Sequence, residues 1–269
     1  MDLLINHHTK YIYSEPVFVE PHYLNFHPML RQYIKLSAFS LAVMPEPSGI
    51  YPSISAQDTI QHQCWFNNLV KELIIDVSIQ VQTRKFNPFE FFIDAQHPGT
   101  LVDQNYLQAY EPMNEQMWGF LEDCRGNGIM DVVNILLQKI QDGWEHEIRY
   151  ADDILLPSDC FELKKGSCRD LLWMMINMLR NLQIASRFVS GYAFNDELGE
   201  GHELHAWVDF YAPGAGWIGV DPTAGMYCTE VYIPVSSSYD PKHTLPVIGK
   251  YRGNASSELH TEVTIRTLD

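Results

Sequence analysis

Hydrophobic and polar positions alternate through much of the first third of the chain. Phe39, Leu41 and Val43 are separated by Ser40 and Ala42, and Ile75, Val77, Ile79 and Val81 are separated by Asp76, Ser78 and Gln80. A period of two marks half-buried antiparallel strands. Prolines at 45, 47 and 52 are expected to separate such runs as turn residues. Residues 1–100 therefore predict a small β-sandwich or sheet domain. The irregular stretch from Phe86 to Thr100, with Pro88, Pro98 and Gly99, is its expected boundary. Within this domain His7 and His8 read as a solvated pair, not as a metal site.

Beyond the boundary the period lengthens. Val132, Val133, Leu136, Leu137, Ile140 and Trp144 recur at helical spacing and predict a helix over about 129–146 with one buried face. A shorter helix is expected around 112–124. Ile148 to Tyr150 reads as a short extended piece, and Asp152 to Lys165 as a loop. A long helical pattern opens at Cys168, with Leu171, Leu172, Met175, Leu179 and Leu182 along one face. Strands are expected at 186–192, 204–211 and 216–220. Leu259, Thr261, Val263 and Ile265 alternate again in a closing strand. The fold class is thus α+β: an antiparallel β domain over 1–100, then a helix-then-strand core over 101–269 that includes the C-terminal strand.

Composition narrows the function classes. A chain of 269 residues with 46% apolar and 12% aromatic residues is globular. Its net charge of -16 argues against a nucleic-acid partner and against adhesion to anionic membranes. No apolar run approaches the roughly 20 residues of a membrane-spanning helix. The N-terminus lacks the basic and apolar regions of a signal peptide. The five cysteines, at 64, 124, 160, 168 and 228, are odd in number and scattered, which suits neither a disulfide framework nor zinc pairs. A reducing, cytoplasmic setting is the expectation. Without an Asp-x-Asp-x-Asp-Gly loop or a His-Glu-x-x-His helix, no metal or other cofactor is expected.

One short stretch carries chemistry. In Gly166-Ser167-Cys168-Arg169-Asp170, Ser167 is placed to cap the helix and Asp170, three residues on, to complete an Asp variant of the capping box. Cys168 then falls in the first helical turn, where free backbone N–H groups and the helix dipole favour a thiolate. A buried structural cysteine is the competing account. His205 follows on a strand, and Asp221 at the end of the next, with Pro213 to Gly216 as the turn between them. Antiparallel pairing would set His205 beside Asp221. A helix packed on that sheet would bring the thiol within reach. A thiolate, an imidazole and an orienting carboxylate are the parts needed to attack an amide carbonyl.

These motifs resemble the bacterial transglutaminase-like family. The residues that carry the resemblance are Gly166 to Asp170, Ile184-Ala185-Ser186-Arg187-Phe188-Val189-Ser190-Gly191-Tyr192, His205-Ala206-Trp207 and Gly216-Trp217-Ile218-Gly219-Val220-Asp221-Pro222-Thr223. The chain departs from the pattern at Ser186, which separates Ala185 from Arg187. Tyr11 to Val17 and Pro246 to Gly253 resemble the opening of the family's preceding β domain and its closing segment. The resemblance implies a papain-like, transglutaminase-like core with Cys168 as nucleophile, His205 as acid/base and Asp221 as orienting carboxylate. Tyr150 matches an aromatic that the family often has at that place; packing is its expected role, with its hydroxyl as a second oxyanion donor the alternative. Trp207 and Trp217 are expected to wall the cleft or simply to fill core, and Asn195 to His202 to form a loop over it. The expected function is a hydrolytic cysteine enzyme acting on amide bonds of a protein or peptide. A cross-linking enzyme with an amine acceptor, and a non-catalytic binding protein on the same fold, are the alternatives. Oligomeric state is not legible.

Overall fold

The alternating segments of the N-terminal region form β1 (Asp2–Val19), β2 (His22–Leu24), β3 (Ile34–Met44), β4 (Gly49–Ile54), β5 (Ile60–Trp65) and β6 (Val70–Thr83) in the computed structural model. The structure describes residues 1–94, 96, 102–149, 153–195 and 203–268. Two antiparallel sheets arise from these strands. In one, β6 lies between β3 and β1; in the other, β5 lies between β4 and β2. Ile75, Val77, Ile79 and Val81 all point inward, as their period of two requires.

Two local expectations change here. Pro52 does not separate strands but sits inside β4, opposite His62. Because β4 is an edge strand, a residue without an N–H costs the ladder little. His7 and His8 are not a solvated pair. Adjacent strand residues face opposite ways, so His7 is buried against the Tyr192 hydroxyl at 2.9 Å while His8 pairs with Asp76 at 2.6 Å. Burial, with His8 adding to it, lowers the pKa of His7 to about 4.

The second region supplies α1 (Glu115–Phe120), α2 (Ile129–Gly143), β7 (Glu145–His146), α3 (Pro157–Leu163), β8 (Lys165–Gly166) and α4 (Cys168–Asn181). It continues with β9 (Ser186–Ala193), β10 (Leu204–Ala212), β11 (Gly216–Asp221), β12 (Met226–Tyr227) and β13 (Tyr232–Ser238), then β14 (Val247–Ile248), β15 (Tyr251–Arg252) and β16 (Ser257–Thr267). The expected loop from Asp152 to Lys165 contains α3. Pro157 occupies its first turn, where a missing N–H is harmless and the fixed φ favours the helix. The expected extended piece at 148–150 is displaced to β7, because α2 stops at Gly143 and Trp144 is already extended.

The core sheet runs β12-β11-β10-β9-β13, antiparallel throughout. One of its faces carries α4. Val208, Phe210 and Val220 join Leu172, Met175, Leu179 and the apolar face of α2 in one cluster. On the other face Tyr192, Ile233 and Val235 pack into the cluster of the N-terminal sheet. Both faces of β9 are therefore covered, and Ser186–Tyr192 is buried without a break. Residues Asp170–Arg180 of α4 are buried throughout as well, not only on the predicted stripe, since the helix runs through the centre of this layer.

The closing strand corrects the expected assignment to residues 101–269. β16 pairs with β1 along its length, from Leu3–Thr267 to Tyr13–Ser257, so the C-terminus completes the N-terminal sheet. The two regions are also tied by charge. Arg31, from the segment after β2, donates to Asp209 Oδ2 at 2.9 Å, and Arg187 donates to the same oxygen at 2.9 and 3.1 Å. Arg187 and Asp209 are 4% and 3% exposed, so neither charge has water as an alternative partner. Asp209→Ala should strand the Arg187 guanidinium and lower unfolding free energy by about 3–5 kcal/mol, read from denaturant midpoints. A loss under about 1 kcal/mol would show that water reaches the site.

Candidate active site

The start of α4 is built around Asp170. Its carboxylate accepts from the Ser167 backbone N–H at 2.8 Å and from the Ser167 hydroxyl at 2.6 Å. It also accepts from the Leu155 N–H at 2.8 Å, and Arg149 donates to both of its oxygens at 2.8 Å. Asp170 is fully buried. Burial would raise its pKa, but the Ser167, Arg149 and Leu155 bonds overcome this and hold it below the usual carboxylate value. The charge is thus compensated by Arg149, and not by the adjacent Arg169. Gly166 leaves room for this arrangement: a Cβ there would lie 2.8 Å from the Asp170 Cβ.

Cys168 follows directly, at the first position of α4 and partly accessible to the cleft. Backbone N–H groups of a first helical turn have no acceptor inside the helix, so they face outward beside the sulfur. The antiparallel register Val208–Val220 carries Asp221 to the part of β10 where His205 lies. His205 Nε2 is 2.7 Å from Asp221 Oδ2. An ionised carboxylate only accepts, so Nε2–H donates and Nδ1 is left for the sulfur. Asp221 is held in turn by the Thr223 hydroxyl at 2.6 Å, the Thr223 N–H at 2.9 Å and the Tyr232 hydroxyl at 3.0 Å.

The electrostatics follow from these contacts. Burial pushes the Cys168 thiol up, but hydrogen bonds from His146 and His205 bring it down to about 7. Burial pushes His205 down, but Asp221 and the Cys168 sulfur raise it to about 10. Desolvation would raise Asp221, and its hydrogen bonds to His205, Thr223 and Tyr232 keep it lowered. Between those two values a thiolate stands beside an imidazolium, with a buried carboxylate behind it. The other cysteines are buried, and desolvation moves each upward: Cys64 to about 11, Cys160 to about 12, with Cys124 and Cys228 also raised.

Cys168, His205 and Asp221 line a cleft of about 1310 Å³, to which β16 contributes Leu259 and Thr261. The sequence-predicted triad is therefore brought together. Trp207 and Trp217 are not among the cleft-lining residues. Trp207 is 2% exposed and packs edge-on against Tyr232, with Gly191 providing the space: a Cβ there would lie 2.6 Å from the indole. Trp217, near the opposite end of β11 from Asp221, stacks with Arg187 and packs against Tyr106 and Tyr211. Tyr150 and residues 196–202 lie outside the described residues.

Sequence reasoning missed His146, Tyr232 and Arg149. Thr223 was in plain view, since an Asp followed two residues later by Thr marks a side-chain-stabilised turn. His146 follows a helix pattern with no local sign that it pairs with the strand before Cys168. Tyr232 reaches Asp221 only through the folding of β13 across β9.

Comparison with known proteins agrees with this architecture. Residues 110–222 match the profile of the transglutaminase-like superfamily, and residues 3–82 match that of the bacterial transglutaminase-like N-terminal region. An uncharacterized protein of Mycobacterium leprae is 32% identical over 116 residues, which is 41% of this chain and 40% of that protein. A protein-glutamine gamma-glutamyltransferase of Pseudomonas aeruginosa is 36% identical over 80 residues, 27% of this chain and 11% of that one. The chain thus spans less than half the length of these curated relatives. A solved structure from Cytophaga hutchinsonii, titled a "Putative Cysteine Protease", superposes with a TM-score of 0.74 at 19% identity, over 100% of this chain and 92% of that one. That likeness concerns the fold. With both of its regions matched in order, the chain belongs to the transglutaminase-like superfamily, its core following the bacterial transglutaminase-like N-terminal region.

Proposed function

We propose that this protein is a cysteine enzyme that opens amide bonds of a protein or peptide through a thioester on Cys168, with water as the acceptor. The observation that carries this reading is the arrangement at the cleft: a thiol at a helix start shares it with an imidazole whose Nε2 meets a buried carboxylate at 2.7 Å. The thiolate attacks the carbonyl carbon, and the π electrons move to oxygen. The Cys168 N–H, at the start of the helix, is a suitable donor to that oxygen. His205 passes its proton to the leaving nitrogen as the C–N bond breaks, then takes a proton from water as the thioester is hydrolysed. Asp221 keeps the ring oriented and stabilises the imidazolium through both steps.

The gamma-glutamyltransferase relative supports a second reading, in which an amine and not water receives the acyl group. Both share every step up to the thioester. Water is favoured because no second built site for a lysine side chain is evident beside the cleft among the described residues.

The following outcomes are expected. With limiting iodoacetamide at neutral pH, Cys168 should be alkylated ahead of Cys64, Cys124, Cys160 and Cys228, because only its thiol is lowered. His205→Ala should abolish that preference and lower turnover by roughly 10²–10⁴-fold. Equal labelling of all five cysteines, mapped by mass spectrometry, would instead mark a binding protein on this fold. With casein and a labelled primary amine offered together, release of peptides or ammonia should exceed amine incorporation and disappear in Cys168→Ala. Turnover should rise through pH 7 as the thiolate forms and fall near pH 10 as His205 loses its proton. Faster amine incorporation would make the protein a cross-linker.

A further inference from the structure

A second imidazole stands at the nucleophile. Trp144 closes α2 with its ring buried and its Nε1–H donating to the Cys160 carbonyl at 2.9 Å. From that anchor, β7 runs parallel to β8, with Glu145 opposite Lys165 and His146 opposite Gly166. The Glu145 N–H donates to the Lys164 carbonyl and the Glu147 N–H to the Gly166 carbonyl, both at 2.9 Å. The backbone of His146 is thereby bonded to the segment that ends two residues before Cys168. Its ring lines the same cleft as Cys168, and the sulfur is the group that acts on its charge most strongly.

The two histidines are placed differently. His205 is largely covered and backed by Asp221. His146 is exposed to the cleft, and among the described residues no carboxylate hydrogen-bonds its ring. Among the described residues, the charged groups of the cleft around it are Cys168 and Arg169 of α4, His205 of β10, Asp221 of β11, Asp153, and Glu147 and Arg149 of its own segment, with Lys165 beside them on β8. Asp170 is committed to Arg149, and Glu147 to Lys165 at 3.1 Å. The Cys168 sulfur is the largest influence, and it favours the imidazolium; burial and His205 oppose it, and Asp221 adds to it. The net effect is to raise the pKa of His146.

We infer that His146 shares the Cys168 thiolate with His205, holding the sulfur from the open side of the cleft and facing the carbonyl oxygen when charge passes to it. The inference rests on the triad reading above. As the S–C bond forms and the π pair moves to oxygen, His146 keeps its proton and shifts its hydrogen bond from sulfur to oxygen. His205 remains the group that delivers a proton to the leaving nitrogen.

The test needs no natural substrate. Alkylation of Cys168 by neutral iodoacetamide and by anionic iodoacetate is followed against pH in wild type, His146→Ala, His146→Gln and His205→Ala. In His146→Ala the half-point of the iodoacetamide profile should move up by about one pH unit. The iodoacetate-to-iodoacetamide rate ratio near pH 7 should fall roughly threefold, because a cation facing the cleft is lost. His146→Gln, which keeps an N–H but no charge, should recover part of the half-point and none of the ratio. A His146 that merely packs would move neither, and profiles superimposable on wild type in both variants would overturn the inference. Should His146→Ala fail to fold, as judged by circular dichroism, His146→Gln decides alone through the rate ratio. If wild-type Cys168 shows no preference over the other cysteines, or His205→Ala leaves its profile unchanged, the triad reading itself fails and takes the inference with it.

Discussion

The carboxylate of Asp170 is the contact on which the rest of the site depends. It has no access to water, so every one of its lone pairs must find a partner inside the protein. Those partners come from three separate pieces of chain: Ser167 at the helix start, Leu155 in the connection before α3, and Arg149 beyond β7. Satisfying one buried charge therefore fixes the entry to α4 and ties down both ends of the segment that precedes it.

Two buried carboxylates lie close to the thiol and have different effects because their partners differ. Asp170 is neutralised by a permanent cation and by backbone donors, so it acts as structure and leaves the thiolate unopposed. Asp221 has no such cation. Its negative charge is balanced by a proton on His205, supported by hydroxyls from Thr223 and Tyr232. The first carboxylate shapes the helix start, and the second sets the charge state of the site.

The N-terminal region is built into the core. β16 returns to β1, Arg31 reaches the buried pair of Arg187 and Asp209, and Tyr33 donates to the Tyr232 carbonyl at 3.0 Å. Tyr232 in turn donates to Asp221, so a contact from the first region lies two hydrogen bonds from the candidate catalytic carboxylate. The β16 residues Leu259 and Thr261 also form part of the cleft wall.

The sequence by itself determined what depends on neighbours along the chain. Period-two alternation placed β3, β6 and β16, helical spacing placed α2 and α4, and the Ser167–Asp170 spacing marked the helix start. The order Cys168, His205, Asp221, with one tight turn between two strands, was enough to foresee the 2.7 Å contact, because hairpin pairing is local. Only the tertiary structure decided the rest. The partner of Asp170 is Arg149, not the adjacent Arg169, because successive helix residues point in different directions. His146 meets Cys168 through a parallel strand pair, which has no turn signature. Tyr232 reaches Asp221 across β9, and β16 joins a sheet begun more than two hundred residues earlier. Each of these contacts is between segments distant in sequence, and no periodicity or capping pattern encodes which distant segment will be the neighbour.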